Sequence, residues 1–111
     1  MKLQPFPFSK IQEGKKNIEV RLYDEKRREI KIGDTILFKK EPEQTEIVIT
    51  EVVGLLNYRT FSDLINDFPA TMFGHPDAQD LSNSIYKYYT KEQEQEYTVL
   101  GIKIRLIIGV Q

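Results

Sequence analysis

Four residues near the start of the chain combine residue types that can do chemistry at close spacing. They follow the pattern Gly-x-Lys-x-x-Glu-x-Arg and are Gly14, Lys16, Glu19 and Arg21. A lysine ammonium binds phosphate as a mobile point charge or, without its proton, attacks a carbonyl, while an arginine offers a planar fork of donors. A glutamate beside them can accept a proton or hold the lysine in its charged form. The motif therefore predicts a site for a polar ligand, with Lys16 and Glu19 as catalytic residues if the protein is an enzyme.

The residues alone leave a second interpretation of this motif open. Lysine, glutamate and arginine also form ordinary ion pairs on the polar face of a strand, where they add little to stability.

Two further residues extend the predicted ligand-binding set. Tyr23 could stack on a base and Arg28 could contact a phosphate, although a solvated charged turn would contain the same residues.

Other aromatic and metal-binding residue types give weaker signals. Helix spacing places Tyr88 and Tyr89 in the core and leaves Tyr86 as the better exposed candidate for stacking. His75 is the single histidine and is expected in a surface loop, so a histidine-based metal cluster is excluded. The carboxylates do not follow the spacing of a metal-binding loop, and we expect neither a metal nor a cofactor.

The motif must be positioned by a short helix and the strand that follows it. Phe8 and Ile11 share one face of the helix, and Gly14 suits the left-handed position that ends it. Residues 17–22 alternate between apolar and polar side chains, which predicts a half-buried strand with Glu19 and Arg21 on its polar face. Lys16 then lies at the mouth of this strand.

The rest of the chain predicts a curled antiparallel sheet with helices placed before its last strand. Strands are expected at residues 35–39, 47–56 and 98–108, and residues 70–79 are expected to form a surface loop. Helices are expected to begin at caps formed by Thr60, Asp80 and Thr90. Short strands without long helices between them indicate an α+β fold that curls toward a β-barrel, in a single domain over residues 1–111. One core is expected to contain Ile18, Val20, Ile36, Phe38, Val48, Val52, Ile102 and Ile104.

Composition and charge narrow the class of protein. The chain has 111 residues, no cysteine and a net charge of −1, so disulfides are excluded and one domain is expected. It contains no long apolar run, and we expect a cytoplasmic protein without a membrane partner. Residues 10–40 hold ten basic and six acidic side chains, whereas residues 41–100 hold three basic and eleven acidic ones. Positive potential is therefore expected around Lys15, Lys16, Arg21 and Arg28.

The motif resembles the signature of the ASCH family (activating signal cointegrator homology), a branch of the PUA-like folds. The resemblance implies a β-barrel with a short N-terminal helix, and a cleft between the two that holds the motif. It extends over nearly the whole chain, and its specific part lies in the first 40 residues. The further matching stretches are Pro5-Phe6-Pro7-Phe8, Ile32-Gly33-Asp34-Thr35-Ile36, Tyr58-x-x-Phe61 with Leu64, and a closing strand with Gly101.

The resemblance implies two functions, and the acidic half of the chain suggests a third. Members of the family are generally taken to bind RNA, which makes RNA or a nucleotide-like molecule the expected partner. A small branch resembles amidohydrolases of acetylated cytidine that use a lysine, a threonine and a later glutamate. Lys16 matches that lysine, but Glu19 occupies the threonine's position, and residues 65–74 contain no glutamate. The third alternative is a partner-binding domain that acts through its acidic half.

Overall fold

The computed structural model describes residues 1–110, with side chains as far as Ile107. Residue 111, the last of the predicted single domain, lies outside the described residues. Two short 3₁₀ helices, Arg27–Glu29 and Ala70–Phe73, lie between the longer elements. Those elements are, in chain order, β1 (Lys2–Leu3), α1 (Pro5–Gln12), β2 (Ile18–Leu22), β3 (Thr35–Lys40), β4 (Ile47–Tyr58), α2 (Phe61–Asp67), α3 (Ala78–Tyr88), α4 (Lys91–Tyr97) and β5 (Val99–Val110).

All five strands form one curled sheet in the order β1-β3-β4-β5-β2. The four predicted strands pair antiparallel, and the predicted α+β class with helices before the last strand is confirmed. The two-residue strand β1 was not predicted, and it pairs parallel to β3. No helix within residues 1–110 is both long enough and apolar enough to cross a bilayer.

The end of α1 sets the position of the motif. Gly14 adopts φ +75°, the left-handed conformation predicted for it. Its N–H donates to the carbonyl of Ile11 and that of Lys15 to the carbonyl of Lys10, both at 2.9 Å. This pair of bonds is the Schellman arrangement that closes a helix and redirects the chain. Lys16 therefore follows directly at the junction between α1 and β2, as predicted.

Two of the three predicted helix caps are confirmed, and the third is wrong. The Thr60 side chain accepts from the backbone of the third helical residue at 3.1 Å, and Thr90 forms a reciprocal capping box with Gln93. The helix expected to start at Asp80 is capped instead by Asp77, whose carboxylate accepts the Asp80 N–H at 2.8 Å. The expected loop over residues 70–79 was also partly wrong, because it contains a 3₁₀ helix and the first two residues of α3.

The curled sheet has apolar residues on both faces, so the protein contains two apolar clusters rather than the predicted single one. Six of the eight predicted core residues share the first cluster with Phe8 and Ile11 of α1. Ile18 belongs to the second cluster, between the sheet and the helices α2 and α3, and Val20 only packs against that cluster in partly buried form. Residues paired directly across antiparallel strands share a face. Glu19 is paired with Ile102, so it lies on the face of the first cluster.

Candidate functional site

A cleft of about 870 Å³ runs along the edge strand β2, between the start of α1 and the helix α3. This volume is in the range of sites that hold small molecules and cofactors. Lys16, Glu19 and Arg21 of the motif line it together. The structure thus brings three of the predicted site residues into one cavity.

Glu19 lies between the two cations of the motif. Its Oε1 is 2.7 Å from Nζ of Lys16, and its Oε2 is 2.7 Å from Nε of Arg21. The lysine and glutamate side chains are only 9% and 5% exposed. The alternative of an ordinary surface ion pair is therefore wrong, because both side chains of the Lys16–Glu19 pair are buried.

The two cations control the ionisation of Glu19. Burial alone would raise the pKa of the Glu19 carboxyl, but the charges and hydrogen bonds of Lys16 and Arg21 outweigh burial and lower it to about 2. Burial likewise opposes the charge of Arg21, and the Glu19 carboxylate overcomes this and raises the pKa of the guanidinium. Glu19 is therefore negatively charged and Arg21 positively charged throughout the neutral range.

Contacts to neighbouring segments hold the two cations in place. Nη2 of Arg21 donates to the carbonyl of Lys2 at 3.2 Å. The stem of Lys16 passes Gly74, where an added Cβ would lie 3.3 Å from the lysine Cβ. The N–H of Asn17 donates to the carbonyl of Met72 at 2.8 Å and ties the start of β2 to the 3₁₀ helix before Gly74. Gly74 has φ +85°, a backbone conformation that favours glycine, and an added side chain would also crowd the lysine stem.

Aromatic side chains form the walls of the cleft above these charges. Tyr88 is 66% exposed and Phe6 is 57% exposed, and both line the cleft together with Tyr89. The expectation that Tyr88 belongs to the core was wrong, because this last residue of α3 leaves most of its side chain exposed. Tyr86, expected to be exposed, is partly buried and donates its hydroxyl to the carboxylate of Glu94 at 3.0–3.1 Å.

Sequence reasoning missed several polar residues that line the cleft, among them His75 and Glu41. His75 lies in its wall, and its Nδ1 is 2.8 Å from Oδ2 of Asp80. Glu41, the first residue after β3, also lines it. The Gly-His-Pro tripeptide at residues 74–76 is a sequence signal that could have identified His75 as a site residue. No sequence pattern distinguishes Glu41 from the glutamates that follow it.

Three of the predicted ligand-binding residues lie outside the described lining of the cleft. Gly14 shapes the turn before Lys16, as described above. The guanidinium of Arg28 lies 4.8 Å from the ring centroid of Tyr23, and its Nε donates to the Tyr23 carbonyl at 3.1 Å. Tyr23 itself is partly buried against the first apolar cluster. In the part of the chain that the structure covers, no cluster of three metal-binding side chains occurs.

The comparison with known families decides where the chain belongs. The model of the ASCH domain matches residues 1–108. The chain belongs to the ASCH family. The predicted resemblance is therefore confirmed, and the curled sheet described above is the PUA-like fold of this family.

Solved structures agree with the ASCH assignment. The crystal structure of hypothetical protein PH0355 has a TM-score of 0.82 at 32% identity, with 96% of each chain covered. The solution structure of protein PF0455 from Pyrococcus furiosus has a TM-score of 0.68 at 29% identity, covering 96% of this chain and 94% of that one.

A more distant structure shares the fold alone. A mutant ASCH protein from Zymomonas mobilis has a TM-score of 0.61 at 12% identity, covering 100% of this chain and 71% of that one. No curated protein matches the chain.

Proposed function

We propose that this ASCH domain binds single-stranded RNA and takes one nucleotide into the cleft along β2. The observation that carries the proposal is the exposed aromatic ring of Tyr88 in the same cavity as the buried Lys16 and the half-buried Arg21. RNA-binding domains stack unpaired bases on aromatic side chains and contact the backbone with cations. The cleft combines both kinds of group within a volume that suits a nucleotide.

The charges of the cleft support an anionic ligand of modest affinity. Two cations and one carboxylate leave the motif with one net positive charge, which attracts a phosphate without strong nonspecific binding. A second, shallower cavity of about 380 Å³ shares Phe6 and His75 with the cleft and is also lined by Lys10 and Lys15. A polynucleotide leaving the cleft on this side would pass two further cations. Binding of RNA by other members of the family supports the proposal by analogy.

Replacing Tyr88 with alanine tests the stacking wall of the cleft. Because loss of one stacked base costs about 1–3 kcal/mol, we expect the affinity for a mixed-sequence RNA decanucleotide to fall about 5- to 150-fold. The measurement is fluorescence anisotropy with labelled RNA at a fixed, stated salt concentration. Ile32→Ala is the matched control, since Ile32 is also 66% exposed but lies outside the described cleft lining. Equal affinities of the two variants would contradict the proposed binding site.

Hydrolysis of an acylated nucleoside is the second candidate, and the buried Lys16–Glu19 pair is the observation in its favour. A general base works best with a pKa near the operating pH, and the pKa of Glu19 lies at about 2. The 2.7 Å ion pair is complete only while the Lys16 amine keeps its proton, which removes its nucleophilic lone pair. The site geometry therefore favours binding over this hydrolysis.

Lys16→Arg separates binding from hydrolysis. Arginine keeps a positive charge and also binds phosphate, but it does not give up its proton under ordinary conditions. We expect the variant to retain most of its RNA affinity, and we expect wild type not to hydrolyse N4-acetylcytidine. RNA binding and hydrolysis are measured together with the melting temperature of each protein. The melting temperature reports whether the fold accommodates the larger arginine side chain. Hydrolysis by wild type that disappears in a folded Lys16→Arg variant would establish the enzyme instead.

A further inference from the structure

The second cavity, of about 380 Å³, adjoins the cleft and differs from it in charge. Phe6 and His75 line both cavities and form the wall that they share. The other residues that line the second cavity are Lys10, Lys15, Thr71, Met72, Gly74 and Pro76. Among the residues that the structure describes, no carboxylate lines this cavity, whereas Glu19 and Glu41 line the cleft. The second cavity therefore offers two cations to an anionic group without an acidic residue in its wall.

Contacts of Lys10 place its ammonium beside the wall that the two cavities share. Its Nζ lies 5.2 Å from the centroid of the Phe6 ring, which lines both cavities. Its carbonyl accepts the N–H groups of Lys15 and Lys16 at 2.9 and 3.0 Å. Its Cβ lies 3.5 Å from the position that an added Cβ would take at Gly74. Both ends of this side chain are therefore positioned, and the charge lies at the boundary between the cavities.

Lys10 also differs from the two lysines that follow it in having no counter-ion among the described residues. Lys15 pairs with Glu13 at 3.2 Å, and Lys16 pairs with Glu19 at 2.7 Å. An aromatic ring attracts a cation but carries no net charge, so the contact with Phe6 leaves the ammonium of Lys10 able to bind an anion. Lys10 is thus the group of the second cavity best suited to a phosphate.

We propose that the second cavity is a subsite for the neighbouring nucleotide, in which Lys10 binds the phosphate that joins this nucleotide to the one in the cleft. The inference rests on the proposed binding of RNA. Consecutive nucleotides are joined by a single phosphodiester, and a strand that occupies both cavities must carry this group past their shared wall. The ammonium of Lys10 lies at that wall, over the ring of Phe6.

The remaining wall of the second cavity suits a base or sugar of any kind. Met72 and Pro76 give it apolar surface, and a methionine side chain adapts to surfaces of different shape. A phosphate contact fixes the register of the strand without selecting a sequence. The subsite therefore extends the binding site from one nucleotide to two and adds affinity for a single strand of any sequence.

The test compares a 5′-phosphorylated uridine dinucleotide with the same dinucleotide carrying an uncharged methylphosphonate at the joining position. The replacement removes the one negative charge that Lys10 is proposed to bind and keeps both bases and sugars. We expect wild type to bind the methylphosphonate about fivefold more weakly. In Lys10→Gln the two dinucleotides are expected to bind within about twofold of each other, because the amide carries no charge. Affinities are measured by NMR titration of nitrogen-15-labelled protein at one fixed salt concentration.

Lys87→Gln is the matched control, since Lys87 is an exposed lysine outside the described lining of both cavities. We expect this variant to keep the full difference between the two dinucleotides that wild type shows. Equal binding of the two by wild type, the same difference in Lys10→Gln as in Lys87→Gln, or no binding of either dinucleotide would overturn the second subsite. In each case, decanucleotide binding that weakens in Tyr88→Ala would leave the proposed function intact. Failure of the decanucleotide to bind as well would overturn both proposals.

Discussion

Glu19→Ala is expected to lower the free energy of unfolding by about 3–5 kcal/mol. The carboxylate lies 2.7 Å from each of two cations on the face of the first apolar cluster. Without it, the buried Lys16 and the half-buried Arg21 lose their shared counter-ion, and both the missing attraction and the repulsion between the two cations destabilise the folded state. The measurement is urea denaturation at pH 7, followed by circular dichroism.

Glu13→Ala provides the control for losing an ion pair of the same residue types. Glu13 pairs with Lys15 at 3.2 Å, and the two side chains are 47% and 66% exposed. Exposed ion pairs contribute at most about 1 kcal/mol to stability. We therefore expect the free energy of unfolding of this variant to be close to that of wild type. Losses of similar size in the two variants would show that burial does not make the motif pair stronger, and the argument for a structural role of Glu19 would fail.

Acid is expected to remove about 3 kcal/mol of stability through Glu19 alone. Its pKa is about 2 in the folded protein, below the ordinary value of about 4.3 that applies to the unfolded chain. A lowered carboxyl pKa contributes stability that is fully present above the unfolded value and is lost as the pH falls through the folded value. The loss should therefore extend from about pH 5 down to about pH 1, below both pKa values.

Two measurements check this acid dependence. Urea denaturation of wild type across the acid range should show a steeper fall than that of Glu19→Gln, whose amide does not titrate. Carbon-13 NMR of the Glu19 carboxyl in wild type should show a midpoint near 2, independent of how stable any variant is. A midpoint close to 4 would show that Lys16 and Arg21 do not hold the charged form.

Local sequence patterns predicted the elements that carry the motif. Alternation located β2, and the glycine at position 14 located the end of α1, because both are properties of a few consecutive residues. The motif itself identified Lys16, Glu19 and Arg21 as neighbours. Their burial could not be predicted, because it depends on how the sheet curls and on which helix covers the edge strand. The same limitation explains why Ile18 was assigned to the wrong apolar cluster.

Residues that reach the cleft from distant segments were the main failure of sequence reasoning. Tyr88 shares its helix face with Leu81 and Ile85, and periodicity alone cannot show that its side chain stays exposed while theirs are buried. Glu41 follows β3 in a charged loop, and only the pairing of β1 with β3 brings it to the cleft. A strand of two residues has no detectable pattern. The wall of the site thus depends on tertiary contacts that local periodicity does not encode.

The position of β5 between β4 and β2 has a consequence for biosynthesis. β2 is made early, but it pairs only with β5, which is made after every other element described above. The ribosome therefore releases the motif strand long before its partner exists, and the sheet can be completed only after the helices have emerged. Pairings between distant segments of this kind slow folding and leave apolar strand edges open to other chains. The nascent chain is thus most prone to aggregation just before its last strand emerges.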